Sequence, residues 1–185
     1  MSSEVTGMVE KFRMTAAEFF ELPETNQIIE LINGELIVSP PPILDHQRLV
    51  FKFGKLIESL MPDGEVFVAP VGVYLDEDNV PEPDVVWVSA HSRCVLTKKR
   101  IEGPPDLIVE VLSPGTERQD RKEKFEIYQR FGVREFWMAD PEEQFLEVYR
   151  LENGVFVRQG VYGPEESFES AVLGKTVDLK GIFRE

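Results

Sequence analysis

The chain has 185 residues, of which 42% are hydrophobic and 29% are charged, and its formal net charge is −14 at pH 7. This composition is that of a globular protein and excludes a collagen-like, a disordered or a disulfide-rich chain. No stretch approaches the ~20 apolar residues that span a bilayer, and Cys94 is the only cysteine. We therefore expect no membrane association, no internal disulfide and a cytoplasmic location. The sequence predicts a single domain over residues 1–185, in which residues 1–11 form a flexible segment.

The first half of the chain contains two helices and a hairpin. A first helix begins at Thr15, whose hydroxyl forms a capping box with the glutamate three residues later, and it ends at Pro23. The segment IIELINGELIV predicts a β-hairpin that turns at Asn33-Gly34. Residues 45–60 form a helix, because their apolar side chains recur at helical spacing.

The strands of a central sheet are predicted from the middle of the chain onwards. Runs rich in β-branched residues at 66–75, 84–88 and 106–112 are almost continuously apolar, which is typical of strands covered on both faces. A helix over residues 119–131 ends at a glycine. Three more strands follow in REFWMAD, FLEVYRL and VFVRQGVY. The predicted fold class is α/β, with a central mixed β-sheet flanked by helices.

The negative charge is unevenly distributed, which bears on whether the partner is a nucleic acid. A net charge of −14 argues against binding to phosphates, because lysine and arginine supply most of that affinity. Residues 93–134, however, hold 10 of the 20 Lys and Arg against 7 Asp and Glu. This basic segment is explained either by a nucleic-acid interface or by chance clustering of solvated charge.

Glu110 stands in the middle of the apolar strand DLIVEVL, where an ionised carboxylate is unfavourable unless it is paired or binds a metal. Asp84 follows Pro83 at the start of another predicted strand. Two carboxylates at neighbouring strand ends provide an oxygen site suited to Mg²⁺. Lys124 shares the inward face of its helix with apolar and aromatic side chains, so it can approach the same site. The alternative for this lysine is a surface pair with Asp120, in which its ammonium extends to water.

Five segments of the chain resemble one known family. They are IIELINGELIVSPPP, DHQRLVFKFGKLI, VPEPDVVWV, PPDLIVEVLSPGT and DRKEKFEIYQRFGVREFWMADP. These segments resemble the Uma family of restriction-endonuclease-like proteins, which belongs to the PD-(D/E)XK nuclease superfamily. The resemblance extends over about residues 12–180 and implies a restriction-endonuclease-like fold with an N-terminal hairpin.

The resemblance also implies roles for individual residues. By position, Asp84 and Glu110 form an acidic pair that binds Mg²⁺, or Mn²⁺ as a substitute, together with the carbonyl of Val111. Lys124 matches the catalytic lysine. Glu30 matches a glutamate of the family's hairpin, which either completes the acidic cluster or forms a structural pair. The implied activity is metal-dependent hydrolysis of phosphodiester bonds in DNA by a homodimer.

Leu112 departs from the superfamily's commoner pattern, which has a lysine two residues after the glutamate. The resemblance implies that the lysine has moved to the following helix. Leu112 and the acidic composition favour a second hypothesis, a catalytically inactive nuclease-like fold that acts as a binding or oligomerisation module. Hydrolysis of a small phosphodiester is a third hypothesis. A duplex binder loses affinity steeply as salt rises, and a small-substrate enzyme does not.

Other polar residues are interpreted as structural. Asp106 lies four residues before Glu110, roughly 13 Å away along one strand, so we interpret it as a strand-start residue. His46 opens a helix beside Asp45 and is interpreted as a cap or surface residue. The basic run at 98–100 either contacts a phosphate backbone or forms a solvated loop.

Overall fold

The structure is a computed structural model, and it describes residues 13–23, 25, 27–113 and 119–184. The flexible segment predicted for residues 1–11 lies outside the described residues. The side chain of Asp120, the alternative partner considered for Lys124, also lies outside them.

The described residues form three α-helices, one π-helical segment and thirteen strands. The helical elements are α1 (Ala16–Phe20), α2 (Leu44–Leu60), the π-helical segment (Gln119–Lys124) and α3 (Phe125–Phe131). The strands are β1 (Ile28–Ile32), β2 (Glu35–Ser39), β3 (Glu65–Val68), β4 (Val73–Tyr74), β5 (Val85–Val88), β6 (Val95–Leu96), β7 (Ile101–Glu102), β8 (Leu107–Val111), β9 (Glu135–Asp140), β10 (Phe145–Glu152), β11 (Val155–Tyr162), β12 (Ser167–Ser170) and β13 (Lys175–Asp178). None of the helices in this part of the chain is both long enough and apolar enough to cross a membrane.

A mixed six-stranded sheet forms the centre of the fold, in the order β11-β10-β9-β8-β5-β3. Its neighbouring strands are antiparallel, except for β8 and β9, which are parallel. Every residue of β5 and β8 is buried. The predicted α/β class, with a mixed sheet whose central strands are covered on both faces, is confirmed.

The local turn and cap signals are confirmed. The hydroxyl of Thr15 accepts a hydrogen bond from the Glu18 N–H, and the capping box at the start of α1 is complete. Asn33 and Gly34 turn the β1-β2 hairpin with φ angles of 51° and 78°. Gly132 ends α3 in the left-handed region, at a φ of 88°.

The apolar run at 66–75 differs from its prediction as one strand. It forms β3 in the central sheet and β4 in a small three-stranded sheet, in which β4 pairs with β7. Pro70 lies between the two strands and has no backbone N–H to donate to a strand neighbour. The apolar residues continue on both sides of this proline, but the backbone hydrogen bonds of one strand do not. The hydrophobic pattern alone therefore could not show that the run is divided.

The two faces of the central sheet carry separate hydrophobic cores. Phe53 of α2 packs on one face with Val109, and Ile127 of α3 packs on the other face with Ile108. A completely buried side chain such as Phe53 contributes about 1.5–3 kcal/mol. Because successive strand residues point to opposite faces, Glu110 faces α3. The pleat of β8 therefore directs this carboxylate towards the helix that carries the predicted lysine.

Glu147 of β10 forms a polar cluster at the edge of the α3 side. Its carboxylate accepts hydrogen bonds from Arg121, at 2.7 Å, and from the hydroxyl of Tyr149, and Arg158 lies 3.9 Å away. Burial alone would raise the pKa of this carboxyl, but these hydrogen bonds and the arginine charges outweigh burial and lower it.

We expect Glu147→Gln to lower the free energy of unfolding by about 1 kcal/mol near pH 7, because the arginines are partly exposed and screened. The pKa of Glu147 is lower in the folded state than in the unfolded state, so its contribution is present above about pH 4.5 and is lost as the pH falls through the folded value. Urea unfolding of both proteins near pH 7 and near pH 3 measures this dependence. An equal loss at both pH values would contradict it.

Candidate active site

Asp84 and Glu110 lie side by side at one end of the central sheet. Strands β5 and β8 are antiparallel and pair Val85 with Val109, so the next pair in this register is Asp84 and Glu110. Directly opposed residues of an antiparallel ladder have Cβ atoms about 4.5–5.5 Å apart on the same face. The carboxylate of Asp84 is held in place by the backbone of β8, because its Oδ2 accepts a hydrogen bond of 2.7 Å from the Val111 N–H. The structure therefore brings the predicted acidic pair together.

Glu110 is 1% exposed, and its carboxylate is compensated by polar neighbours. Its Oε1 accepts a hydrogen bond of 2.6 Å from the hydroxyl of Tyr128 and lies 3.2 Å from the Nζ of Lys124. Burial, together with the charge of Glu110, holds the pKa of Tyr128 well above its usual value. The hydroxyl therefore stays protonated and orients the carboxylate as a donor.

Lys124 joins the hairpin to the central sheet. It is 4% exposed, and its Nζ lies 2.8 Å from Oε1 of Glu30 and 3.2 Å from Oε1 of Glu110. Such burial contradicts the alternative in which the lysine extends to water. Lys124 is the last residue of the π-helical segment, a feature that is frequent at functional sites.

Leu112, which occupies the superfamily's commoner lysine position, is 3% exposed and packs in the hydrophobic core on the α3 side. The ammonium near Glu110 comes instead from the helix that covers this core. The position of Lys124 thus agrees with the implied migration of the lysine.

Glu82 lies two residues before Asp84 and was missed by the sequence analysis. Burial and the charge of Glu30 raise the pKa of Glu82 to about 7, although Lys124 acts in the opposite direction. Its backbone N–H donates a hydrogen bond of 2.8 Å to Oε1 of Glu30. The only signal in the sequence was that Glu82 stands between two prolines and two residues before Asp84.

His46 also belongs to the site, and its interpretation as a cap or surface residue was wrong. It is 9% exposed, and its Nε2 lies 3.2 Å from Oδ2 of Asp84. In α2 it precedes Leu49 by three residues and Phe53 by seven, so it lies on the buried stripe of the helix. That spacing was the signal that could have placed His46 inside the protein.

Asp106 lies apart from the acidic pair, at the start of β8. It accepts a hydrogen bond of 2.9 Å from the Ser89 N–H and forms an ion pair of 3.0 Å with Arg134, so its contacts are those of a strand-start residue. Within the basic run at 98–100, Arg100 pairs with Glu102 at 2.9 Å.

A cleft of about 260 Å³ contains the converging side chains. Four carboxylates and one lysine line it among the described residues: Glu30, Glu82, Asp84, Glu110 and Lys124. In the same part of the chain, no three His, Cys, Asp or Glu side chains are arranged to hold a metal ion. Mg²⁺ needs fewer protein ligands, because it typically takes one or two carboxylates and keeps several waters. The adjacent Asp84 and Glu110 fit that requirement.

Comparisons with known proteins identify the family and the fold. The sequence model of the Uma2 family, described as "Putative restriction endonuclease", matches residues 16–179. An uncharacterized protein of Synechocystis sp. is 28% identical over 145 residues, which are 76% of this chain and 79% of that relative. A crystal structure from Anabaena variabilis, titled as a putative nuclease belonging to DUF820, covers 92% of this chain and 97% of its own, with a TM-score of 0.76 and 22% identity. The chain therefore has the fold of that structure and belongs to the Uma2 family of putative restriction endonucleases.

Proposed function

We propose that the protein is a metal-dependent endonuclease that hydrolyses phosphodiester bonds of DNA. The observation that carries this proposal is the convergence of Asp84, Glu110 and Lys124 in one cleft at the end of the central sheet. Two carboxylates beside a buried ammonium are suited to hydrolysis of a phosphodiester. The family and the fold support the same class of reaction. The chain from 1 to 185 would act as a single nuclease domain, in the cytoplasm.

Asp84 and Glu110, with the carbonyl of Val111, would hold Mg²⁺, for which Mn²⁺ could substitute. A divalent ion bound there lowers the pKa of a water molecule and neutralises charge on the phosphate. The excess of carboxylates in the cleft supports this assignment, since buried negative charges require compensation.

The remaining side chains fix the geometry of this pair. Lys124 lies between Glu30 and Glu110, so its ammonium is held at the cleft and can orient the attacking water or stabilise charge on the phosphate. Tyr128 restrains Glu110 through its hydroxyl, and His46 contacts Asp84. Each of the two carboxylates that would bind the ion is therefore contacted by a second, buried residue.

Cleavage of supercoiled plasmid by the purified 185-residue chain tests the proposal. We expect nicking with Mg²⁺ or Mn²⁺, none with excess chelator, and none with an identically prepared Asp84→Asn variant, which controls for contaminating nuclease. No cleavage of plasmid, single-stranded DNA or RNA would contradict the proposal and favour the inactive binding module. Hydrolysis of bis(p-nitrophenyl) phosphate that high salt leaves unchanged, without cleavage of these nucleic acids, would point to a small phosphodiester substrate.

Removal of one charge from the acidic pair should weaken metal binding. Glu110→Gln keeps the size of the side chain but removes the anion, so we expect Mg²⁺ affinity to fall by at least about tenfold in a calorimetric titration. Glu58→Gln, at an exposed position on α2, is the matched control and should leave the affinity unchanged. Equal affinity of Glu110→Gln and the unaltered protein would exclude Glu110 as a ligand.

We also propose that the protein acts as a homodimer, the commonest closed assembly, so that two sites can cut two strands. Light scattering at the working concentration measures the mass directly. A monomer mass would contradict this part of the proposal.

A further inference from the structure

A large groove opens beside the catalytic cleft and is continuous with it. Its volume is about 820 Å³, compared with about 260 Å³ for the cleft. His46, Glu82 and Asp84 line both spaces. A group bound in this groove would therefore lie next to Asp84, one of the two carboxylates proposed to hold the metal.

The walls of the groove are mainly apolar and aromatic. Phe19 and Phe20 of α1 line one side, and Phe51 of α2, which is 65% exposed, lines another together with Val68. Among the described residues that line the groove, none is lysine or arginine. Two cations contact the aromatic walls without lining the groove: Arg100 lies 4.0 Å from the ring centroid of Phe20, and the Nζ of Lys55 lies 5.3 Å from that of Phe51. A phosphate inside the groove would face the carboxylates of Glu82 and Asp84, whereas a neutral planar group would be accommodated beside the rings.

The space on the other side of His46 has a different character. This second space, of about 250 Å³, is lined by Arg48, Lys52 and Arg184, and also by the carboxylates of Asp45 and Glu142. Each of these cations also has a protein partner, such as Asp45 for Arg48. The two spaces therefore differ in charge among the described residues: three cations and two carboxylates line the second space, whereas two carboxylates and no cation line the aromatic groove.

We propose that the aromatic groove binds an unpaired base of the strand that is cut, so that the substrate is single-stranded or locally unpaired DNA. This inference rests on the proposed nuclease function. Apolar and aromatic side chains are the usual partners of an extruded or unstacked base. The exposed side chains of Gln27 and Gln47 line the same groove and supply hydrogen-bond donors and acceptors for a base edge. The phosphates of the strand pass on the cationic side of His46.

Binding of two oligonucleotides with the same number of phosphates tests the groove separately from cleavage. One is an ordinary single strand, and the other lacks its central bases. Both carry a fluorescent label and are titrated with protein in a buffer that contains Ca²⁺ in place of Mg²⁺. The proteins are the unaltered chain, Phe51→Ala, and Val157→Ala, an exposed apolar control on β11 at the far edge of the central sheet. We expect the unaltered chain and Val157→Ala to prefer the ordinary strand by about tenfold or more. Phe51→Ala should lose that preference.

Three outcomes would overturn the inference. The first is equal affinity of the unaltered protein for both oligonucleotides, and the second is an unchanged preference in Phe51→Ala. The third is a change of Phe51→Ala from dimer to monomer in light scattering, which would make the groove an interface between copies. If the protein nicks plasmid but binds both oligonucleotides equally, base binding in the groove is refuted and the nuclease proposal is unaffected. If the protein prefers the ordinary strand but cleaves no nucleic acid, base binding in the groove is supported and the proposed nuclease activity is refuted.

Discussion

Lys124→Met is expected to reduce metal-dependent nicking of plasmid DNA by about 100- to 1000-fold, the usual loss when one preorganised electrostatic donor is removed from an active site. Methionine preserves most of the length and the apolar stem of lysine but has no charge. The ammonium lies 3.2 Å from Glu110, so it would lie close to a phosphate held by the proposed metal ion at the acidic pair. Initial rates of nicking with saturating Mg²⁺ measure the effect.

The same substitution also removes the cation between Glu30 and Glu110, and loss of one partner from a buried ion pair costs about 3–5 kcal/mol. A loss of nicking could then reflect unfolding. The double variant Glu30→Gln/Lys124→Met removes one carboxylate together with the cation, so it should unfold at a higher urea concentration than Lys124→Met. It should remain inactive. Recovery of nicking in the double variant would show that Lys124 has only a structural role.

Glu135→Ala is expected to lower the free energy of unfolding by about 3–5 kcal/mol, because several buried donors lose their acceptor. Glu135 is 1% exposed, and its carboxylate accepts hydrogen bonds from the Trp137 indole at 2.8 Å, the Ser170 hydroxyl at 2.6 Å, and the backbone N–H groups of Ala171 and Val172 at 3.0 and 3.2 Å. Alanine would leave these donors without an acceptor in a dry environment.

The matched control for this prediction is Glu142→Ala, at an exposed position just after β9. Its effect should stay within about 0.5 kcal/mol. Urea unfolding at neutral pH compares the three proteins. A loss in Glu135→Ala no greater than that of the control would show that the β12-β13 hairpin does not depend on this carboxylate.

Most of the fold could be predicted because its signals are local. The cap at Thr15 and the turn at Asn33-Gly34 each depend on residues within a few positions of one another. The central strands are identified by apolar runs long enough to be distinguished from loops. The two-residue strands β6 and β7 have no such signal, since two residues cannot establish a periodicity.

The acidic pair and the lysine could be predicted for a different reason. Glu110 interrupts an apolar strand, and Lys124 lies on an apolar helical stripe, so each conflicts with its own surroundings. The sequence around Glu82 shows no such conflict, because its raised pKa arises from burial in the folded protein and from the charge of Glu30, which lies 52 residues earlier in the sequence. Contacts of this kind follow from the packing of the hairpin on the sheet, which local spacing does not encode.

The contact between Lys124 and Glu30 has a consequence for the timing of activity during protein synthesis. The N-terminal hairpin leaves the ribosome long before the helix that carries Lys124, because chains grow at only about 5–20 residues per second. A nascent chain that ends after Glu110 and before Lys124 contains the acidic pair without its ammonium. For the proposed nuclease, a nascent or truncated chain of that length would leave nearby nucleic acid intact, and cleavage would begin only when the helix that carries Lys124 had folded onto the sheet.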